Sequence, residues 1–118
     1  MKALVLEKPA PIETNPLLTY DLPIPQPQKE EVLIRIKACG VCHTDLHIVE
    51  KEIPPHLLPL VPGHQIVGII EEVGERVKDL LPGELVGVPW LNRVCGNCRF
   101  CQEGRENLCE SALFTGYD

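Results

Sequence analysis

Apolar and charged residues alternate most cleanly from Glu31 to Ala38 (EVLIRIKA), a period of two that predicts a strand. The start of the chain predicts another over Met1 to Glu7, with Met1, Ala3 and Val5 on one face and Leu4 and Leu6 on the other. His64 to Val73 is nearly all apolar around Gly68, which predicts a strand with a bulge or a close backbone contact at the glycine. Leu81-Pro82-Gly83 reads as a turn into a further short strand, Glu84 to Val88. Thr44 to Val49 is suited to a turn or two of helix, with Thr44 or Asp45 available to cap it.

Between these elements the pattern breaks down. Six prolines from Pro9 to Pro27 exclude helix there, and PIPQPQ from Pro23 favours extended, polyproline-like chain. Pro54, Pro55, Pro59 and Pro62 predict a second loop. From Val94 to Cys109 the residues are mostly Cys, Gly, Asn and Arg, a stretch that cannot pack a core unaided. Short strands, frequent Gly and Pro and almost no long helix describe a mainly β domain, a small barrel or sandwich.

Composition narrows the function classes. The chain has 118 residues, 44% of them hydrophobic and 24% charged, as in one ordinary globular domain. No stretch approaches the roughly 20 apolar residues of a membrane-spanning helix, so no membrane partner is expected. A net charge of −6 without clustered Lys and Arg argues against nucleic acid. MKALVLEKPAP makes a poor secretion signal, which leaves the cytoplasm as the default compartment.

Four of the six cysteines fall in one run, Cys95, Cys98, Cys101 and Cys109, spaced C-x2-C-x2-C-x7-C. Two residues between cysteines let both sulfurs face one ion. Four thiolates at about 2.3 Å satisfy a tetrahedral zinc and leave no position open for a substrate, the pattern of a structural site. Disulfides fit less well, because cysteines three apart seldom bridge and the expected compartment is reducing. An iron–sulfur cluster is the sharper rival, since C-x2-C-x2-C also occurs in ferredoxins.

A second polar constellation is Cys42-His43-Thr44-Asp45-Leu46-His47 together with Gly63-His64-Gln65. Cys and His suit a catalytic zinc with an open position, and a carboxylate can orient the histidine ligand. A lone Cys or His in a β-protein is more often buried and inert. GVCHTDLH, PGHQIVGIIEEVG, GVPWL and the four-cysteine loop, in that order, resemble the N-terminal, GroES-like domain of medium-chain zinc alcohol dehydrogenases over residues 1–118.

The resemblance implies a partly open β-barrel with short helices and an extended zinc loop over 95–109. It implies an enzyme that interconverts alcohols and aldehydes or ketones by zinc-assisted hydride transfer with NAD or NADP, homo-oligomeric when complete. By position, Cys42 and His64 match two ligands of the catalytic zinc, and Asp45 matches the carboxylate bonded to the ligand histidine. Thr44 matches the hydroxyl that takes the alcohol proton, and His47 the histidine that passes it on. His43 falls where a basic residue approaches the cofactor pyrophosphate, or is simply exposed. Trp90 resembles the aromatic that narrows the alcohol pocket, with a core-filling role as the competitor.

Three departures stand out. Gln65 replaces the glutamate that usually follows the ligand histidine, which changes the charge near the metal by about one unit and predicts tuned ligand exchange. Cys39 is an additional cysteine at a strand end, expected to be buried in the core. No GxGxxG turn of a cofactor-binding α/β domain occurs, and the family's third catalytic zinc ligand lies beyond residue 118. These 118 residues alone are therefore not expected to catalyse hydride transfer. The competing expectation, from a different class, is a zinc-stabilised β-domain that binds a partner without chemistry.

Overall fold

In the computed structural model, which describes residues 1–118, the alternation at the start becomes strand β1 (Lys2–Leu6). It pairs antiparallel with β2 (Leu17–Asp21), with Leu6 opposite Leu17. The proline-rich stretch thus holds a strand that the sequence reading did not anticipate. Pro16 and Pro23 flank β2 and none lies inside it, so every N–H remains available to the ladder. Pro11 precedes a single 3-10 turn over Ile12–Thr14.

The central sheet is β3 (Val32–Gly40), β4 (Gln65–Val73) and β5 (Leu85–Val88), all antiparallel, with β4 in the middle. Gly68 on β4 serves the close contact that its position predicts. A Cβ there would lie 2.7 Å from the Arg35 carbonyl oxygen and 2.4 Å from Ile34 Cγ2. A bulge falls there too: Ile36 pairs with Gly68 and Ala38 with Val67, leaving Lys37 as the extra residue on β3, and a second register shift lies between Leu33 and Ile34. A last pair, β6 (Leu91–Arg93) and β7 (Leu113–Phe114), brackets the cysteine-rich loop. Two short helices complete the fold, α1 (His43–Val49) and α2 (Arg99–Gln102). The architecture is mainly β, with open sheets, as the strand pattern predicts.

The core is small. Leu6, Ile48, Val49, Leu60 and Tyr117 form one buried cluster against which Leu17, Trp90 and Phe114 pack. Leu6 and Leu60 exchange both backbone hydrogen bonds, at 2.7 and 2.9 Å, and so tie β1 to the loop before β4. The Tyr117 hydroxyl donates to the Pro54 carbonyl at 2.9 Å, satisfying the one polar atom that this ring brings into the cluster. Each fully buried Leu or Ile contributes about 1.5–3 kcal/mol. Since Ile48 and Val49 belong to α1, the same cluster fixes the helix that bears Thr44 and His47. No helix is long and apolar enough to cross a membrane.

Candidate functional site

Strand β3 ends at Gly40, and two residues later Cys42 is the N-cap of α1, which begins at His43. Neither Thr44 nor Asp45 takes the cap position that the sequence suggests for them. Asp45 instead lies in the first turn, where its Oδ2 accepts the Cys42 N–H at 2.8 Å. A carboxylate there satisfies an orphan amide and complements the positive helix start. Its other oxygen, Oδ1, lies 3.1 Å from His64 Nδ1. His64 immediately precedes β4 and is 5% exposed. The two atoms are close but not aligned for a full hydrogen bond, and both are buried without another partner.

One carboxylate therefore joins Cys42 and His64, residues far apart in the chain that the β3–β4 pairing brings together. The Cys42 sulfur lies 3.7 Å from Thr44 Oγ1. Thr44, His64, Gln65 and Trp90 line an open cleft of about 1080 Å³ with apolar walls from Ile53, Ile66 and Val88. A cleft of this kind, with few convergent polar groups, suits a small organic molecule.

Trp90 lies between the core and the cleft. It stacks on Phe114 at 4.9 Å and packs against the core, and it meets His64 edge-on at 4.8 Å at the cleft wall. Gln65 is exposed and lies over Gly40, where a Cβ would come within 2.8 Å of its Oε1. His43 is exposed, and its ring stacks on His47 at 4.5 Å. The His47 Nδ1 also contacts the Glu52 carboxylate, a pairing that no sequence spacing announces. Cys39 is exposed, contrary to the expectation that it is buried. The outer half of β3 beyond Ile34 has no layer over it, and the thiol rests beside Gly63.

The four remaining cysteines converge. The sulfurs of Cys95, Cys98, Cys101 and Cys109 all lie within 4.8 Å of one another, with 3.6 Å between Cys98 and Cys101 and 4.0 Å between Cys95 and Cys101. A tetrahedron with metal–sulfur bonds of about 2.3 Å has edges of about 3.8 Å, so the set fits one zinc-sized ion. The Cys95 N–H donates to Cys109 Sγ and the Cys98 N–H to Cys95 Sγ, both at 3.3 Å. Backbone amides lower the thiol pKa values of Cys95, Cys98 and Cys109 and so favour thiolates. Withdrawal from water pushes Cys101 up to about 12. A bound cation would favour the thiolate at all four sulfurs, Cys101 included.

A second open cleft lies between Gln28, Glu30, Arg76 and Arg93. Its charges are largely paired on the spot, Arg76 with Glu30 at 3.2 Å and Lys29 with Glu75 at 2.9 Å, and it brings no ligand set together.

Comparison with known proteins agrees with this geometry. Residues 28–117 match the family model of the alcohol dehydrogenase GroES-like domain. An alcohol dehydrogenase of Geobacillus stearothermophilus is 48% identical over 118 residues, covering 99% of this chain and 34% of the relative. A cobalt- and zinc-bound thermostable alcohol dehydrogenase from Pyrobaculum aerophilum superposes with a TM-score of 0.89 at 30% identity, over 99% of this chain and 35% of that one. CAD from Helicobacter pylori, complexed with NADP(H), gives 0.81 at 33% identity, over 97% and 32%. The chain thus spans about a third of the length of the relatives it matches. By the family match over most of its residues and by its fold, the chain belongs to the alcohol dehydrogenase GroES-like domain family.

Proposed function

We propose that the chain is the zinc-carrying catalytic domain, residues 1–118, of an NAD(P)-dependent alcohol dehydrogenase that interconverts small alcohols and aldehydes or ketones. The observation that carries this reading is the single Asp45 carboxylate set between the Cys42 N–H and the buried His64, at the edge of a cleft that Thr44 and Trp90 line. A histidine oriented by a carboxylate, with its other nitrogen toward a cleft, is prepared as a metal ligand.

Cys42 and His64 would hold the catalytic zinc, and Cys95, Cys98, Cys101 and Cys109 a structural one. When bound, the catalytic ion would supply Lewis-acid polarisation of the substrate oxygen. The other roles belong to the chain. Thr44, whose hydroxyl borders the cleft, accepts the alcohol proton, and His47 on the same helix takes it toward solvent. Trp90 narrows the cleft in favour of small alcohols, and Gln65 leaves the site without the usual acidic neighbour. His43, exposed beside His47, is the candidate for the cofactor phosphates. The complete enzyme is proposed to be a homo-oligomer of the cytoplasm.

The test uses the complete protein that carries this domain. Thr44→Ala should lower alcohol turnover by roughly 10²-fold or more, the scale of a general acid–base contribution, with little change in Tm. Thr44→Ser should retain most of the rate. Parental turnover in Thr44→Ala would refute the relay.

A further inference from the structure

Past its last turn, α1 does not simply stop. Glu50 keeps a near-helical backbone, and Lys51 then turns into the left-handed region with φ of 67°. Lysine rarely adopts that conformation, so the surrounding structure must hold it there. The turn folds the chain back on the helix, and the Ile53 N–H donates to the His47 carbonyl at 3.1 Å. Glu52 is thereby placed across from the His47 ring, with its carboxylate in contact with Nδ1. Stacking on His43 at 4.5 Å and 18° between planes fixes the plane of the same ring. The titratable groups in contact with the ring are His43 and Glu52, and Glu50 is the other carboxylate at this end of the helix. Of the two carboxylates, Glu50 is engaged elsewhere, accepting the Ile12 N–H at 3.0 Å.

We propose that Glu52 is a positioning residue for the proton relay: its carboxylate holds the proton of neutral His47 on Nδ1 and leaves Nε2 free to accept. A neutral imidazole has one donor and one acceptor nitrogen, and the partner of one nitrogen decides which is which. With the proton held on Nδ1, each arriving proton finds a lone pair on Nε2 and no ring flip is needed between turnovers. This inference depends on the relay proposed above for its purpose, but its physical content is the tautomer. The competing possibility is an exposed ion pair of no consequence for the ring, a common fate of surface charges.

Long-range proton–nitrogen correlation spectra of the full 118-residue chain tell the two apart. They are recorded on the alkaline plateau, where the ring nitrogen shifts no longer change with pH. His47 signals are assigned by their loss in His47→Gln. The parent should carry the His47 proton mainly on Nδ1. In Glu52→Ala the ratio of Nδ1–H to Nε2–H should fall roughly three- to tenfold, the effect of removing an exposed charge-assisted hydrogen bond. Glu50→Ala, which removes the neighbouring carboxylate, should resemble the parent. A parent ring protonated on Nε2 overturns the proposal, as does a ratio that Glu52→Ala leaves unmoved. An equal shift in Glu50→Ala overturns it too, because general charge at the helix end would then set the ring. No turnover enters this measurement, so a failed Thr44 rate test strikes the relay alone and leaves the tautomer result standing.

Discussion

Asp45 shows how one side chain can serve helix and site together. Its Oδ2 accepts the Cys42 amide at 2.8 Å while Oδ1 faces His64 Nδ1 at 3.1 Å. Asparagine has the same shape but only one acceptor oxygen. If that oxygen stays on the Cys42 amide, the NH2 group faces His64 and donates to Nδ1, so the ring proton must move to Nε2. The nitrogen intended for a metal is then blocked. Asp45→Asn should therefore bind zinc at the Cys42–His64 site roughly 10–100-fold more weakly, the usual loss for an orienting partner, and keep its full content in the four-cysteine loop. Chelator competition resolves the two classes of ion. Equal affinity in parent and Asp45→Asn would remove Asp45 from the site. Asp45→Ala should in addition lose about 0.5–2 kcal/mol of stability with the cap contact.

Among the elements, the loop from Cys95 to Cys109 is the one whose order depends least on burial. Phe100 at the start of α2 lies between Arg99 and Arg105, at 4.4 and 5.2 Å from their guanidinium carbons. Exposed cation–π contacts contribute about 0.5–1 kcal/mol each, too little to hold some fifteen residues against their conformational entropy. A metal ion on the four sulfurs would do it, and the same arginines offer trypsin its targets. With zinc bound, cleavage after Arg99 and Arg105 should be slow. Cys98→Ser should lose about one zinc per chain, a strong chelator should strip the loop of the parent as well, and either should open both bonds. A Cys98→Ser variant with full zinc that resists trypsin like the parent would disprove a structural metal here. This loop was legible in the sequence because its ligands are neighbours and C-x2-C spacing is itself the geometry. The long strands were legible for a similar reason, since EVLIRIKA writes its period directly. By contrast, β6 and β7 are three and two residues long, too short for a period to show, and β2 is hidden in the proline-rich stretch between Pro16 and Pro23. The Asp45–His64 contact depends on β3 pairing with β4, and residue spacing alone could not announce it; only the resemblance of whole motifs did. Cys39 departs from the expectation because a strand-end cysteine is buried only where another layer covers it, and in these 118 residues none covers the outer half of β3.

At the scale of the whole molecule, one small cluster connects parts that function would need together. Leu6 of β1, Ile48 and Val49 of α1, Leu60 before His64, and Tyr117 near Trp90 are its members. Leu6 is fully buried, and truncation to alanine should cost about 2–5 kcal/mol. That is a large share of the roughly 5–15 kcal/mol that stabilises a domain. Leu85 has the same side chain on edge strand β5 but is 70% exposed, so Leu85→Ala should stay within about 0.5 kcal/mol of the parent. Trp90, the single tryptophan, touches Phe114 on the core side and His64 on the cleft side, so its fluorescence reports core and site at once. Urea unfolding of the zinc-loaded chain followed at Trp90 should show a much lower midpoint for Leu6→Ala and an unchanged one for Leu85→Ala. Leu6→Ala should also weaken zinc at the Cys42–His64 site before global unfolding, since α1 and the His64 loop both lean on the missing side chain. The four-cysteine zinc, held by local ligands outside the cluster, should persist to higher denaturant. Loss of both metals at one midpoint would mean that core, cleft and cysteine loop unfold as a single unit, and the division of the molecule drawn from its packing would be wrong.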